Sequence, residues 1–282
     1  SDRHFERYKR HSFWFKPLFA GLSAAGMQTA AYAERIEQLG LAPGRIRVTG
    51  NIKFDGAPQI FPESQLLQLR HAHGIPEEAP VLVFGSTRPG DEGRAAAVWR
   101  QLRDAFPTLR LILAPRHVER LGEAIAPFSG EPLALRSEIL KGRSYVRERI
   151  LVLDTIGDLV AFYAIASAAV VGGSFDPAIQ GHNPIEPAAL GVPTFFGPCM
   201  KNFQDAAAML VADGGARQVQ EADLAGSLRE VLLNHELRAR MGGCARETVA
   251  RNQGALQRTL ALLEPFMSDE DYNGFSIDGT AR

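Results

Sequence analysis

The most chemically loaded stretch of this 282-residue chain is Gly181-His182-Asn183-Pro184-Ile185-Glu186-Pro187-Ala188-Ala189-Leu190-Gly191. A carboxylate in the first turn of a helix can accept two hydrogen bonds from a vicinal ribose diol. With Asn183 as N-cap and Pro184 at the first helical position, Glu186 is also half of a capping box, so capping and ribose binding both stand. Pro187 shifts the geometry if the helix begins there instead. In either register Glu186 stays in the first turn.

Further polar residues follow apolar runs. Gly172-Gly173-Ser174 comes after Ala168 to Val171; glycines let backbone N–H groups approach an anion, and a tight turn is the plainer reading. Ser86-Thr87 closes Val81-Leu82-Val83-Phe84 and offers hydroxyls to a phosphate or to a helix start, with Arg88 a further cation. Pro115-Arg116-His117 ends Leu109 to Ala114, and Arg116 and His117 can meet a base or a phosphate, or stay solvated and cap a helix. Ile156-Gly157-Asp158 follows Ile150 to Leu153; Gly157 allows amides to face a flat base, while Asp158, three residues after Thr155, also fits a cap.

These runs are apolar throughout, as strands buried on both faces are. Their alternation with helical patterns predicts a parallel, doubly wound α/β sheet whose ligands sit at the carboxyl ends of the strands. Leu133 to Leu135 is a weaker strand, and Pro193 to Gly197 and Ala216 to Val219 complete the series. Residues 221–264 read as two helices with Gly242-Gly243 between them. Residues 1–55 carry two helical patterns and one strand, Arg45 to Gly50, too little to bury a core alone. The expected organisation is therefore 1–55 as the end of a preceding domain plus linker, 56–266 as a nucleotide-binding domain, and 267–282 as a disordered polar tail. The opening Ser1-Asp2-Arg3-His4 without Met reads as the inside of an element, hence a fragment.

Composition narrows the function classes. Thirty-one basic residues balance thirty-two acidic ones, so no global field attracts nucleic acid. No apolar run approaches the roughly 20 residues that span a bilayer. Cys199 and Cys244 show neither metal spacing nor a disulfide framework, the histidines have no zinc spacing, and no P-loop segment occurs. Ser174 lacks triad partners. Asp269-Glu270-Asp271 is expected to be solvated. Arg3, Arg7, Lys9 and Arg10 beside Phe13, Trp14 and Phe15 suit either an anionic membrane surface or a solvated helix with its aromatics packed inward, and the inward packing is preferred.

The ordered set Val48-Thr49-Gly50-Asn51-Ile52-Lys53-Phe54-Asp55, Gly85-Ser86-Thr87-Arg88-Pro89-Gly90-Asp91-Glu92, Ala114-Pro115-Arg116-His117, Asp154 to Asp158, Val171 to Ser174, Gly181 to Gly191, and Gly197-Pro198 to Asn202-Phe203 resembles the 3-deoxy-D-manno-octulosonic acid (Kdo) transferases, which attach Kdo to lipid A in lipopolysaccharide assembly. The resemblance spans 48–203 and weakens on both sides. It implies a GT-B fold of two Rossmann-like domains, of which this chain holds the donor-binding one. The donor it implies is CMP-Kdo and the acceptor a lipid A precursor, with no cofactor and no metal. The implied nucleotide-binding set is Ser86, Thr87, Pro115, Arg116, His117, Ile156, Gly157, Asp158, Gly173, Ser174, His182, Asn183, Pro184, Ile185 and Glu186. Within it Pro115-Arg116 and Ile156 to Asp158 fall to the cytidine, Glu186 to the ribose, and Ser86 with Gly173-Ser174 to the phosphate. The family's acceptor site, membrane attachment and general-base glutamate lie in a preceding domain with no match here. An inverting transferase at the cytoplasmic face of the inner membrane is thus implied for the whole protein, with this chain soluble and inactive alone. Ile156 stands where the family often has Met, and Gln204 where it often has an acid. The readings set against this one are another GT-B transferase or an epimerase using a UDP-sugar, and a non-catalytic nucleotide-binding module.

Overall fold

The computed structural model describes residues 2–143 and 148–267, with strands β1 Ala25–Met27, β2 Ile46–Val48, β3 Val81–Thr87, β4 Arg110–Pro115, β5 Leu133–Leu135, β6 Ile150–Val152, β7 Ala168–Val171, β8 Thr194–Phe196 and β9 Ala216–Gln218. The chain divides into two units, Ser1–Gly56 with the stretch from Asn252 onward, and Ala57–Arg251. The polar tail and its Asp269-Glu270-Asp271 cluster lie outside the described residues.

In the first unit β1 and β2 pair in parallel, Ala25 opposite Ile46. Only β2 was expected; Ala25-Gly26-Met27 has no β-branched residue to mark it. Thr29 caps the Ala30–Gln38 helix, its hydroxyl accepting from the Tyr32 amide at 3.3 Å. The last helix, Ala255–Leu263, falls in this unit rather than with the strand-rich one. The Asp55 carboxylate accepts the amides of Gly254 and Leu256, two donors that a helix start leaves without intrahelical partners. Arg258 Nε donates to the Thr49 carbonyl at 2.8 Å.

The second unit is a seven-stranded parallel sheet in the order β5-β6-β4-β3-β7-β8-β9. Side chains alternate along a strand, and here both faces are covered. Leu82, Phe84, Leu111, Leu113 and Val170 pack with Trp99 and Leu102 of the Asp91–Leu102 helix and with Leu228 and Val231 of the Leu224–Leu233 helix. Val81, Val83, Ile112, Leu151 and Ala169 pack on the other side with Phe162, Tyr163 and Ile165. Strand order runs from β3 to β4 in one direction and to β7 in the other, so the carboxyl ends of β3 and β7 flank the point of reversal, where doubly wound sheets bind ligands.

Gly242-Gly243 does not separate two helices. His235–Asn252 runs through both, after Leu224–Leu233 and before Ala255–Leu263. A Cβ on Gly242 would stand 2.1 Å from the Gly191 carbonyl oxygen, so this glycine marks close backbone packing. Among the described residues no helix is long and apolar enough to cross a membrane.

Candidate functional site

The carboxyl end of β3 is irregular. Its pairing with β4 shifts between Gly85 and Thr87, and Ser86 adopts φ 55°, a left-handed conformation uncommon outside glycine. The neighbouring loops tie directly to this end. Arg116 N donates to the Thr87 carbonyl at 3.0 Å, and Gly172 N donates to the Gly85 carbonyl at 2.8 Å. Asp91 joins two loops through one oxygen, accepting from Arg88 N at 2.9 Å and Gly173 N at 2.6 Å. His182 N donates to the Gly172 carbonyl at 3.1 Å, which brings the start of the Gly181–Gly191 stretch to the same point.

Glu186 is the second residue of the short Ile185–Ala189 helix, and Pro187 is the third. The expected capping box is replaced by a side-chain pair: Asn183 Oδ1 accepts from Ile185 N at 3.0 Å, and Asn183 Nδ2 donates to Glu186 Oε1 at 3.1 Å. Asn183 therefore orients the carboxylate. Burial pushes the Glu186 carboxyl above its ordinary range, against the Asn183 bond and the Arg116 charge. Burial also holds His182 below the usual imidazole value, with Arg116, Arg88 and His117 adding to the effect. Arg116, exposed at the mouth, thus feels both His182 and Glu186. Arg88 donates to His117 Nε2, while His117 Nδ1 lies 3.1 Å from Glu119. The result is a cluster of one half-buried carboxylate with cationic and imidazole groups, suited to a ligand carrying both hydroxyls and an anion.

At the β6 end, Ile156 is 91% exposed and Gly157 has φ 97°. The Asp158 carboxylate is held by the Thr155 hydroxyl and lies 3.5 Å from Arg136 Nε. An apolar side chain and open backbone therefore form the rim there. Pro115, Pro184 and Ile185 are buried.

Three expected contacts have other partners. Thr87 is fully buried, its hydroxyl donating to Glu92 Oε1 at 3.0 Å. Ser174 is also fully buried, donating to the Val171 carbonyl at 2.6 Å and accepting from Gly197 N at 2.9 Å. The Gly173 amide is committed to Asp91. Of that expected phosphate set Ser86 alone keeps partial exposure. Thr87→Val should consequently lower stability by about 1–2 kcal/mol, because it strips a donor from a buried carboxylate, and leave nucleotide affinity unchanged. Urea unfolding beside a ligand titration separates the two effects. The acids that hold the loops, Asp91 and Glu92, were missed; their signal was an acidic pair directly after Pro89-Gly90, which resembles any helix start.

Similarity to known proteins points to a family. A family model described as 3-Deoxy-D-manno-octulosonic-acid transferase (kdotransferase) matches residues 1–56. The 3-deoxy-D-manno-octulosonic acid transferase of Bordetella pertussis is 35% identical over 257 residues, 89% of this chain and 58% of that protein. The transferase of the same name from Haemophilus influenzae is 30% identical over 271 residues, 95% of this chain and 62% of that protein.

The chain belongs to the Kdo transferase family.

It spans 58% and 62% of the length of these two Kdo transferases. Among solved structures, the C-terminal CMP-Kdo binding domain of WaaA from Acinetobacter baumannii superposes with a TM-score of 0.60 at 24% identity, covering 71% of this chain and 99% of that one. At that identity the likeness establishes the fold, which is of the GT-B type expected of Kdo transferases.

Proposed function

We propose that this chain is the donor-binding part of an inverting Kdo transferase that passes Kdo from CMP-Kdo to a lipid A precursor. The observation that carries the reading is that Glu186, His182, Arg116, Arg88 and His117 act on one another at the reversal of strand order. Glu186, oriented by Asn183, takes the ribose diol. Ile156 and the open backbone at Gly157 take the face of the cytosine.

As an acceptor hydroxyl attacks the anomeric carbon of Kdo, the bond to the CMP phosphate breaks and its charge grows. Fixed positive groups lower the barrier when they face charge that develops only in the transition state. Arg116 and Arg88 fill that role, in place of the expected glycine amide, with the His182 imidazole, held toward its neutral form, as a hydrogen-bonding neighbour. A monophosphate leaving group met by guanidinium groups needs no bridging metal. The base that removes the acceptor proton is assigned to the part of the relatives' length that this chain does not match. The bilayer face that holds lipid A precursors, the cytoplasmic face of the inner membrane, is the place where the whole protein would act.

Thermal melts test the donor assignment. CMP at about a hundred times its Kd should contribute about 2.7 kcal/mol, a rise of roughly 5–10 °C for a unit of this size. UDP should give a much smaller rise. A chain that melts cooperatively but ignores millimolar CMP, or one that prefers UDP, overturns the assignment.

A further inference from the structure

Asp91 is 3% exposed and opens the Asp91–Leu102 helix, yet that helix has no side-chain cap bond. The carboxylate reaches back and across instead. Its Oδ2 accepts the Arg88 amide, while the Asp91 amide donates to the Arg88 carbonyl at 2.9 Å, a reciprocal pair that closes the turn over Pro89 and Gly90. The same Oδ2 accepts the Gly173 amide, 82 residues further along the chain, at 2.6 Å. Oδ1 lies 3.4 Å from Arg94, which is held in turn by Glu221 at 2.6 Å and by the ring of Phe175.

Two backbone N–H groups aimed at one point form a nest for an anion, and here the chain supplies that anion itself. Its charge is met by both amides and by Arg94, so the carboxylate is not left bare in a buried place. Each amide belongs to a segment that sets a group of the candidate site. Arg88 places its guanidinium on His117. The Gly173 carbonyl accepts the Gly181 amide at 2.9 Å and the Gly172 carbonyl accepts the His182 amide at 3.1 Å, so the stretch leading to Glu186 hangs from the loop that Asp91 holds. We propose that Asp91 is a positioning residue for the anionic half of the donor. By filling the nest between β3 and β7 with a carboxylate of the chain, it turns the donor's phosphate away from the glycine amides and onto Arg88 and Arg116. The inference rests on the donor assignment made above. A plain structural staple would cost stability alone; a positioning role costs affinity for the phosphate and spares the nucleoside.

Titrations of the whole chain with CMP and with cytidine separate these roles. Asp91→Ala should raise the Kd for CMP about 10-fold and leave that for cytidine, which has no phosphate, unchanged. Formate matches the group that alanine removes. It should restore most of the CMP affinity of Asp91→Ala, where sodium chloride of equal ionic strength does not, and it should leave wild type unaltered. Asp91→Asn keeps the shape and loses the charge, so it carries the CMP and cytidine comparison if the alanine variant does not melt cooperatively. The proposal is overturned if the folded variants bind CMP as wild type does, or if cytidine weakens by the same factor as CMP, which marks a general loosening. It is also overturned if formate restores no more than chloride. A wild-type chain that binds neither ligand brings down the donor assignment together with this inference. A wild type that binds both, beside variants that bind both equally well, brings down the inference alone.

Discussion

Glu186→Ala removes the rise in melting temperature that CMP gives, and Glu186→Gln removes most of it. An ionised carboxylate that accepts two ribose hydroxyls contributes about 1.5–3 kcal/mol per hydrogen bond. Losing both raises Kd by at least about 100-fold. Without ligand the sign reverses. Burial holds the Glu186 carboxyl above its ordinary range in the folded chain, so the folded state favours the protonated form. That contribution to stability is complete below the unfolded carboxylate value and is lost as pH rises through the folded one. Glu186→Gln, which cannot ionise, should thus melt above wild type at neutral pH and match it in acid. Over the same range the CMP affinity of the wild-type chain should climb with pH as the carboxylate forms. Melts of both chains across about pH 4 to pH 8, with and without CMP, read all of this. A CMP shift that survives in Glu186→Ala removes the ribose role.

Gly172→Ala is expected to be among the most damaging single methyls in the strand-rich unit. Its Cβ would lie 2.3 Å from the Ser86 carbonyl oxygen, 2.6 Å from the Ser86 carbonyl carbon and 2.8 Å from the Gly85 oxygen. All three are backbone atoms of the central strand, so no side chain can rotate away. Overpacking generally costs 1–3 kcal/mol, and a clash against two paired strand ends belongs at or above the top, about 3–5 kcal/mol. Parting β3 from β7 also breaks the Gly172 amide bond to Gly85 and displaces His182, so CMP binding should disappear as well. Gly93→Ala supplies the contrast. Gly93 sits exposed in the Asp91–Leu102 helix with nothing within 4 Å of the added carbon, and alanine there should stabilise by about 0.5–1 kcal/mol. Urea unfolding of both variants is decisive: equal, small effects would mean that the β3–β7 junction has slack.

The strands were legible wherever burial on both faces forces a run of Val, Leu and Ile, as at β3, β4 and β6. The loops that converge followed from those runs and from the parallel order they impose. β1 was invisible because Ala25-Gly26-Met27 pairs without a pattern of its own. Thr87 and Ser174 looked like ligand donors because a hydroxyl at a strand end reads the same whether it faces a phosphate or a buried partner. Here that partner is Glu92 for one and the Val171 carbonyl for the other. Gly242 looked like a helix stop because close backbone approach to Gly191 is a tertiary fact. Glu186 was ambiguous for a related reason: the orienting Asn183 bond depends on a helix beginning at Ile185, one residue after the expected proline.

The clasp of Asp55 on Gly254 joins positions 199 residues apart. A ribosome adding about 5–20 residues per second needs roughly 10–40 s to make that interval. For that time residues 1–55 wait without the helix that completes their unit, whereas every strand from β3 to β9 has already been made when that helix emerges. Vectorial synthesis therefore finishes the strand-rich unit first, and a pause late in the message would leave residues 1–56, although made before that unit, still waiting for the helix that completes theirs.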